Sequence, residues 1–175
     1  MTGVNRSRVL ACAIVCGVIV TPAATAWLAT ADRGSGVILL GTDGVVFQRA
    51  SNDCGLAAME MVGRALGAGW TSSDLAREIP LSARGTSMLA LRDFAFRHGV
   101  NATGWKLAFS DLSTIRLPAI AFVDGHHYVV VTSVDADGAD IQDPAAGRVR
   151  WPARTLARRW RGEILTFEQR MRARP

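Results

Sequence analysis

The chain opens on an apolar block. No residue from Val9 to Ala31 is charged, and Arg6 and Arg8 stand just before it. A basic start, an apolar run from Val9 to Val20 and small residues at Ala24-Thr25-Ala26 have the layout of an export signal. The uncharged run is also about long enough to cross a bilayer as a helix. Residues 1–31 therefore read as a signal peptide or as a single N-terminal transmembrane anchor, associating with membrane through residues 9–31. Under either reading the positive-inside rule sends the rest of the chain out of the cytoplasm.

Asp32-Arg33-Gly34-Ser35-Gly36 reads as a linker, so that residues 32–44 form a linker and first extended segment. Val37 to Leu40 and Val45 to Phe47 predict short extended pieces around a Thr42-Asp43-Gly44 turn. A helical period follows. Leu56, Met59, Val62 and Leu66 predict a helix over 53–66, with Asn52 or Asp53 as its cap and Gly67 ending it. A second helix is predicted over 73–79, capped by Thr71 or Ser72, with Pro80 beyond its end. A third, over 87–98, has Thr86 as cap, Leu91, Phe94 and Ala95 facing inward, and Gly99 as terminator.

From Leu117 the period changes to that of strands. Leu117 to Val123 turns at Asp124-Gly125 into a second strand, His126 to Val134, and Asp135 to Gly138 turns the chain back along Ala139 to Asp143. Pro144 to Gly147 turns again into Arg148 to Trp151. Pro152 then opens a short helix to Trp160, and a last strand covers Glu163 to Phe167. Helices followed by an antiparallel meander predict an α+β fold, with a helical N-terminal half packed on a C-terminal antiparallel sheet.

Length and composition add bounds. The chain's 175 residues hold one domain, placed at 45–168, plus the leader and a basic tail at 169–175, and an apolar fraction of 49% supports a packed core. Net charge is +5, but outside the leader it comes from 18 basic and 15 acidic residues, many of the former arginines between Arg148 and Arg174. No nucleic-acid motif or aromatic platform accompanies them, so they read as a solvated face and nucleic acid is not a partner. Cys12 and Cys16 lie in the leader, leaving Cys54 as the single thiol of the folded domain. That excludes an internal disulfide, the common use of cysteine in an exported protein. One cysteine and three histidines without paired spacing predict no metal site, and no cofactor is implied.

The candidate chemistry gathers around that thiol. Cys54 opens the first helix, where the dipole and unpaired N–H groups favour a thiolate. Gln48 lies six residues earlier and is placed to share an oxyanion hole with the Cys54 N–H. His127 starts an otherwise apolar strand, where an imidazole is costly to bury without a partner. Asp143 ends the returning strand just before Pro144. A carboxylate on the imidazole N–H would hold its tautomer and stabilise the imidazolium. A plain hairpin about Asp135–Gly138 pairs Asp143 with Val130, so contact with His127 requires a bulge or divergence of the strands. Taken singly, each residue has a plainer reading: Cys54 as a small core residue, His127 as a satisfied structural histidine, Asp143-Pro144 as a turn, and Gln48 as a solvated side chain.

Taken in order, Gln-x4-Asp-Cys-Gly, His-Tyr-Val-Val-Val and Asp-Pro resemble the peptidase C39 family of papain-like cysteine peptidases. Members of that family remove double-glycine leader peptides from bacteriocin precursors, commonly as the N-terminal part of an ABC exporter. The resemblance runs over Val45 to Phe167 and takes in Gly85-Thr86-Ser87, the Leu117-Pro118 strand and Trp160-x-Gly162. It implies a papain-like fold, with Cys54 as nucleophile, His127 as base, Asp143 as its orienter and Gln48 as oxyanion donor. It also implies a peptide or precursor-protein substrate and an export system in the same membrane. Two alternatives keep the fold: a catalytically silent peptide-binding module, and an acyltransferase using the same acyl-enzyme. The leader implies a bacterial inner-membrane, periplasmic or secreted location, whereas the exporter domains face inward. These residues hold no transporter or ATPase module.

Overall fold

A computed structural model describes residues 36–170; residues 1–35, with the expected leader, and the last five residues lie outside them. Among the described residues no helix is long and apolar enough to cross a membrane. The elements run β1 (Ile38–Gly41), α1 (Cys54–Ala65), α2 (Ser72–Glu78), α3 (Met88–Arg97), β2 (Val100–Lys106), β3 (Ala119–Val123), β4 (His127–Asp135), β5 (Gly138–Asp143), β6 (Gly147–Pro152), α4 (Ala153–Arg159) and β7 (Trp160–Gln169). A 3₁₀ turn at Phe109–Thr114 lies between β2 and β3.

All pairings are antiparallel, and the strands form one sheet in the order β1-β6-β5-β4-β3-β7-β2. Its centre, β3 to β6, is the predicted meander. Period-two alternation then assigns the two faces. Ile120, Val130, Leu165 and Phe167 pack with Leu56, Met59 and Val62 of α1, Leu75 of α2, and Leu91 and Phe94 of α3. Ala121, Val129, Ile141, Val149 and Ile164 face the other way, onto Leu112, Trp151 and Leu156. Most of these side chains are almost wholly out of water, at about 1.5–3 kcal/mol each relative to exposure. The α+β expectation holds.

Side-chain caps start two of the first three helices. Thr71 accepts from the Asp74 N–H to cap α2. Ser87, and not the expected Thr86, accepts from the Ala90 N–H to cap α3. Asp53 stands at the cap position of α1, but its side chain makes no cap bond to the helix.

Other differences lie at the sheet's edges. Val45 to Phe47 is not a strand; Val45 and Val46 pack on the helical core instead, and the predicted extended piece before them, β1, pairs with β6 across more than a hundred residues. β2 has no counterpart in the sequence reading. Asn101, Thr103, Gly104 and Lys106 hide its alternation, since on an outer strand only Val100 and Ala102 need be apolar. β7 starts at Trp160 and ends at Gln169, longer than expected, because it bridges β3 and β2.

Candidate active site

Cys54 is the first residue of α1 and is 3% exposed. The chain before it is closed on itself. The Asp53 carboxylate reaches back to accept from the Arg49 N–H, 3.1 Å from both its oxygens, and from the Ala50 N–H at 3.1 Å. Gln48 is tied from the other side: its N–H donates to the Pro144 carbonyl at 3.0 Å, and its Nε2 donates to the Ala50 carbonyl at 3.0 Å. An amide NH₂ has two hydrogens, so one remains for another acceptor. Gln48 Oε1 is buried without a partner. Turning the amide over would set that oxygen against the Ala50 carbonyl, so the orientation is chemically determined. Gln48 thus links the loop ahead of Cys54 to the residue after Asp143.

His127 begins β4, facing Val123 across β3. Its Nε2 donates to Asp143 Oδ1 at 2.7 Å, with the two side chains only 13% and 6% exposed. The Ala145 N–H donates to the same carboxylate oxygen at 2.8 Å and holds it in place. The Cys54 thiol acts on the ring from its other side, which leaves Nδ1 as the nitrogen facing the sulfur. Burial alone would lower the pKa of His127. Hydrogen bonds to Asp143 and Cys54, and the charges on both, outweigh it and raise the imidazole to about 9.

The register question is answered by one residue. From the turn, Asp135 pairs with Gly138, Val134 with Ala139 and Ser133 with Asp140. Thr132 is then skipped, and Val131 pairs with Ile141 and Val130 with Gln142. The bulge moves β5 by one position, so Asp143 falls level with Val129 and not Val130. Because neighbours across a sheet share a face, this brings Asp143 to the face of His127. The Thr132 hydroxyl donates to the Asp140 carbonyl at 3.1 Å, tying down the bulged residue.

Supporting residues were not legible beforehand. At the β3–β4 turn, Asp124 and Gly125 take φ values of 55° and 76°, the left-handed pair of a tight hairpin. Arg159 donates to the Asp124 carboxylate at 2.9 and 2.6 Å and stacks 4.0 Å over the Trp151 ring. On the helical side, the Tyr128 hydroxyl donates to the Thr86 carbonyl at 3.2 Å, and Asn52 Nδ2 donates to the Ser82 carbonyl at 2.8 Å. The Asp-Gly pair was visible as a turn; its ion pair to a helix thirty-five residues on carries no local signal. His98 sits against Glu78 at 3.0 Å, and His126 is exposed and lines the pocket beside Cys54.

A thiol at a helix start, coupled to an imidazole whose far nitrogen rests on a buried carboxylate, belongs to the cysteine peptidases. The family model of the peptidase C39 family matches residues 43–172, and the chain belongs to that family. It is 32% identical to an uncharacterized protein of Methanothermobacter thermautotrophicus over 74% of its own length and 92% of the relative's. It is 31% identical over 59% of its length to the probable microcin-H47 secretion/processing ATP-binding protein MchF of Escherichia coli, of which it covers only 15%. Among solved structures it resembles a double glycine motif protease from an AMS/PCAT transporter, crystallised with the leader peptide. The TM-score is 0.69 and the identity 25%, over 72% of this chain and 91% of that one.

Proposed function

We propose that Cys54, His127 and Asp143 form the catalytic triad of this cysteine peptidase, with Gln48 and the Cys54 N–H as oxyanion donors. The observation that carries the reading is the His127 ring, hydrogen-bonded to Asp143 on one side and raised in pKa by the Cys54 thiol on the other. The proton of Cys54 goes to His127 as the sulfur attacks the peptide carbonyl. The carbonyl oxygen becomes an oxyanion that takes the Cys54 N–H, which donates to no group among the described residues, and the second hydrogen of Gln48 Nε2. His127 Nδ1 gives its proton to the departing amine, and Asp143 keeps the ring aligned. His127 then takes a proton from water, which releases the acyl group from sulfur.

The substrate is a leader peptide cut after a glycine pair, a reading supported by the solved relative with its leader peptide. The pocket beside the thiol holds about 220 Å³ between the Gly85-Thr86 strap and the aromatic rings of Phe122 and Tyr128, a size suited to residues without large side chains. Residues 45–168 form the peptidase domain, residues 169–175 a basic tail. Residues 1–31 deliver the domain to the outer face of the membrane, as a cleaved signal or an anchor.

The test is to incubate the purified chain and its Cys54→Ala variant with precursor peptides carrying a Gly-Gly leader, and with the same peptides bearing Val-Val. Cleavage after Gly-Gly by the unaltered chain alone is the expected result. Equal cleavage by both proteins would remove Cys54 from the mechanism, and equal cleavage of both peptides would remove the glycine preference.

A further inference from the structure

Arg84 stands at the rim of the pocket that holds Cys54, and its placement is not accidental to the turn that bears it. Ser82 to Gly85 is a closed tight turn: the Ser82 and Gly85 backbones exchange two hydrogen bonds of 3.0 Å, and the Ser82 hydroxyl donates to the Gly85 carbonyl at 2.9 Å. The Arg84 N–H donates to the Ser82 hydroxyl oxygen at 3.2 Å. Asn52, two residues before Cys54, donates to the Ser82 carbonyl and fastens the turn to the thiol's own loop. The backbone of Arg84 is thus held, while its exposed guanidinium makes no ion pair among the described residues.

The rest of the lining sharpens the point. No acidic side chain lines this pocket among the described residues. His126 lines it too, and its Nδ1 lies 3.0 Å from the Asp124 carbonyl. A carbonyl only accepts, so Nδ1 carries the hydrogen there. Thr86, in the same wall, has a buried hydroxyl with no partner. A cleft beside a nucleophile that offers a free guanidinium, a histidine and an unused hydroxyl, with no carboxylate to satisfy them, is built for an anion supplied from outside.

We propose that Arg84 is a specificity-determining residue that takes a carboxylate of the substrate, an acidic side chain within three residues of the cleaved bond. The inference rests on Cys54 being the nucleophile. It deepens the peptidase reading by adding a charge requirement to the requirement for small residues. The guanidinium fork matches a carboxylate bidentately, the geometry in which an exposed pair is worth most.

Two measurements test it. In the first, one residue of a cleavable Gly-Gly precursor peptide is set to Glu, Gln or Lys at each of the three positions on either side of the bond. The ratio of kcat/KM for Glu over Gln is then read for the unaltered chain, Arg84→Gln and Arg84→Glu. At one position the unaltered chain would favour Glu by about fivefold or more, Arg84→Gln would bring the ratio to about one, and Arg84→Glu would turn the preference to Lys. A ratio near one at every position, or a preference that survives in Arg84→Glu, overturns the proposal. The second measurement needs no peptide. Iodoacetate and iodoacetamide alkylate Cys54 by the same step, the thiolate forming a C–S bond and expelling iodide, and differ in carrying a carboxylate or a neutral amide. The iodoacetate-to-iodoacetamide rate ratio would fall about fivefold in Arg84→Gln, further in Arg84→Glu, and the difference would shrink as salt is raised. Unchanged ratios overturn the carboxylate site. A chain that cleaves no peptide but shows this fall keeps the site and loses the peptidase substrate.

Discussion

His127 keeps its proton well past neutrality because Asp143 and Cys54 oppose the burial that would strip it. Its pKa of about 9 lies above the ordinary 6.5, so the imidazolium persists below pH 9 and is lost above it. The native state therefore holds a proton between 6.5 and 9 that the unfolded chain has released. The stabilisation from this group is complete below 6.5 and disappears as pH rises through 9. Activity should follow, since the departing amine needs that proton: kcat would show an alkaline limb near pH 9. In Asp143→Ala the strongest raising interaction is gone and burial acts with less opposition, so the limb would move back toward 6.5, along with a fall in kcat. A limb that stays near 9 in the variant would show that Asp143 does not set the state of His127. Gln48 makes a separate prediction. Gln48→Ala removes one donor to a charge that exists only in the transition state, so kcat would fall by about 10²–10³-fold while KM changes little. Of these residues, Cys54, His127, Asp143 and Gln48 were legible as candidate chemistry only in combination, because each has a plainer local reading and it is their order along the chain that points to a site. Asp53 was legible only as a cap. That it grips the Arg49 and Ala50 N–H groups depends on the loop doubling back, which no periodicity records.

The hairpin β4–β5 shows how one residue of register decides a site. Side chains alternate strictly, so a strand displaced by one position presents its other face. Deleting Gln142 would set Asp143 opposite Val130 and turn the carboxylate away from His127. The expected outcome is a protein that keeps its circular dichroism but has lost activity as fully as Asp143→Ala, with the His127 titration followed by NMR displaced from about 9 in the same direction. A variant with normal activity would place the register elsewhere. The opposite strand end is guarded by Gly138. A Cβ there would run into the Trp151 carbonyl across β5–β6, so the strand can only start with glycine at this point. The need for a bulge followed from the sequence, by counting back from the turn. Its position did not, because Thr132 looks like any other residue of a β-branched run.

Across the whole molecule, the site depends on α1 lying close against both β4 and the strap before α3. Gly55 marks that approach: a Cβ on it would come within 2.7 Å of Thr86 Cγ2 and 3.1 Å of Tyr128 Cδ2. Gly55→Ala would therefore push the helix that carries Cys54 from the strand that carries His127. We expect a loss of roughly 1–3 kcal/mol in urea unfolding, the range for overpacking a tight contact, and a fall in kcat larger than that of a core change far from the site, such as Leu156→Ala. Equal stability with full activity would mean the helix has room to move. By itself the sequence determined the helices and the central strands and singled out the four proposed site residues, because periodicity, caps and turn residues act over a few positions. Tertiary structure alone decided which strands close the sheet's edges, where β4 skips a residue, and how Asp53 and Asn52 bind the loops around Cys54. Those choices balance contacts between residues tens of positions apart, and the free energy that selects them exists only once the core has formed.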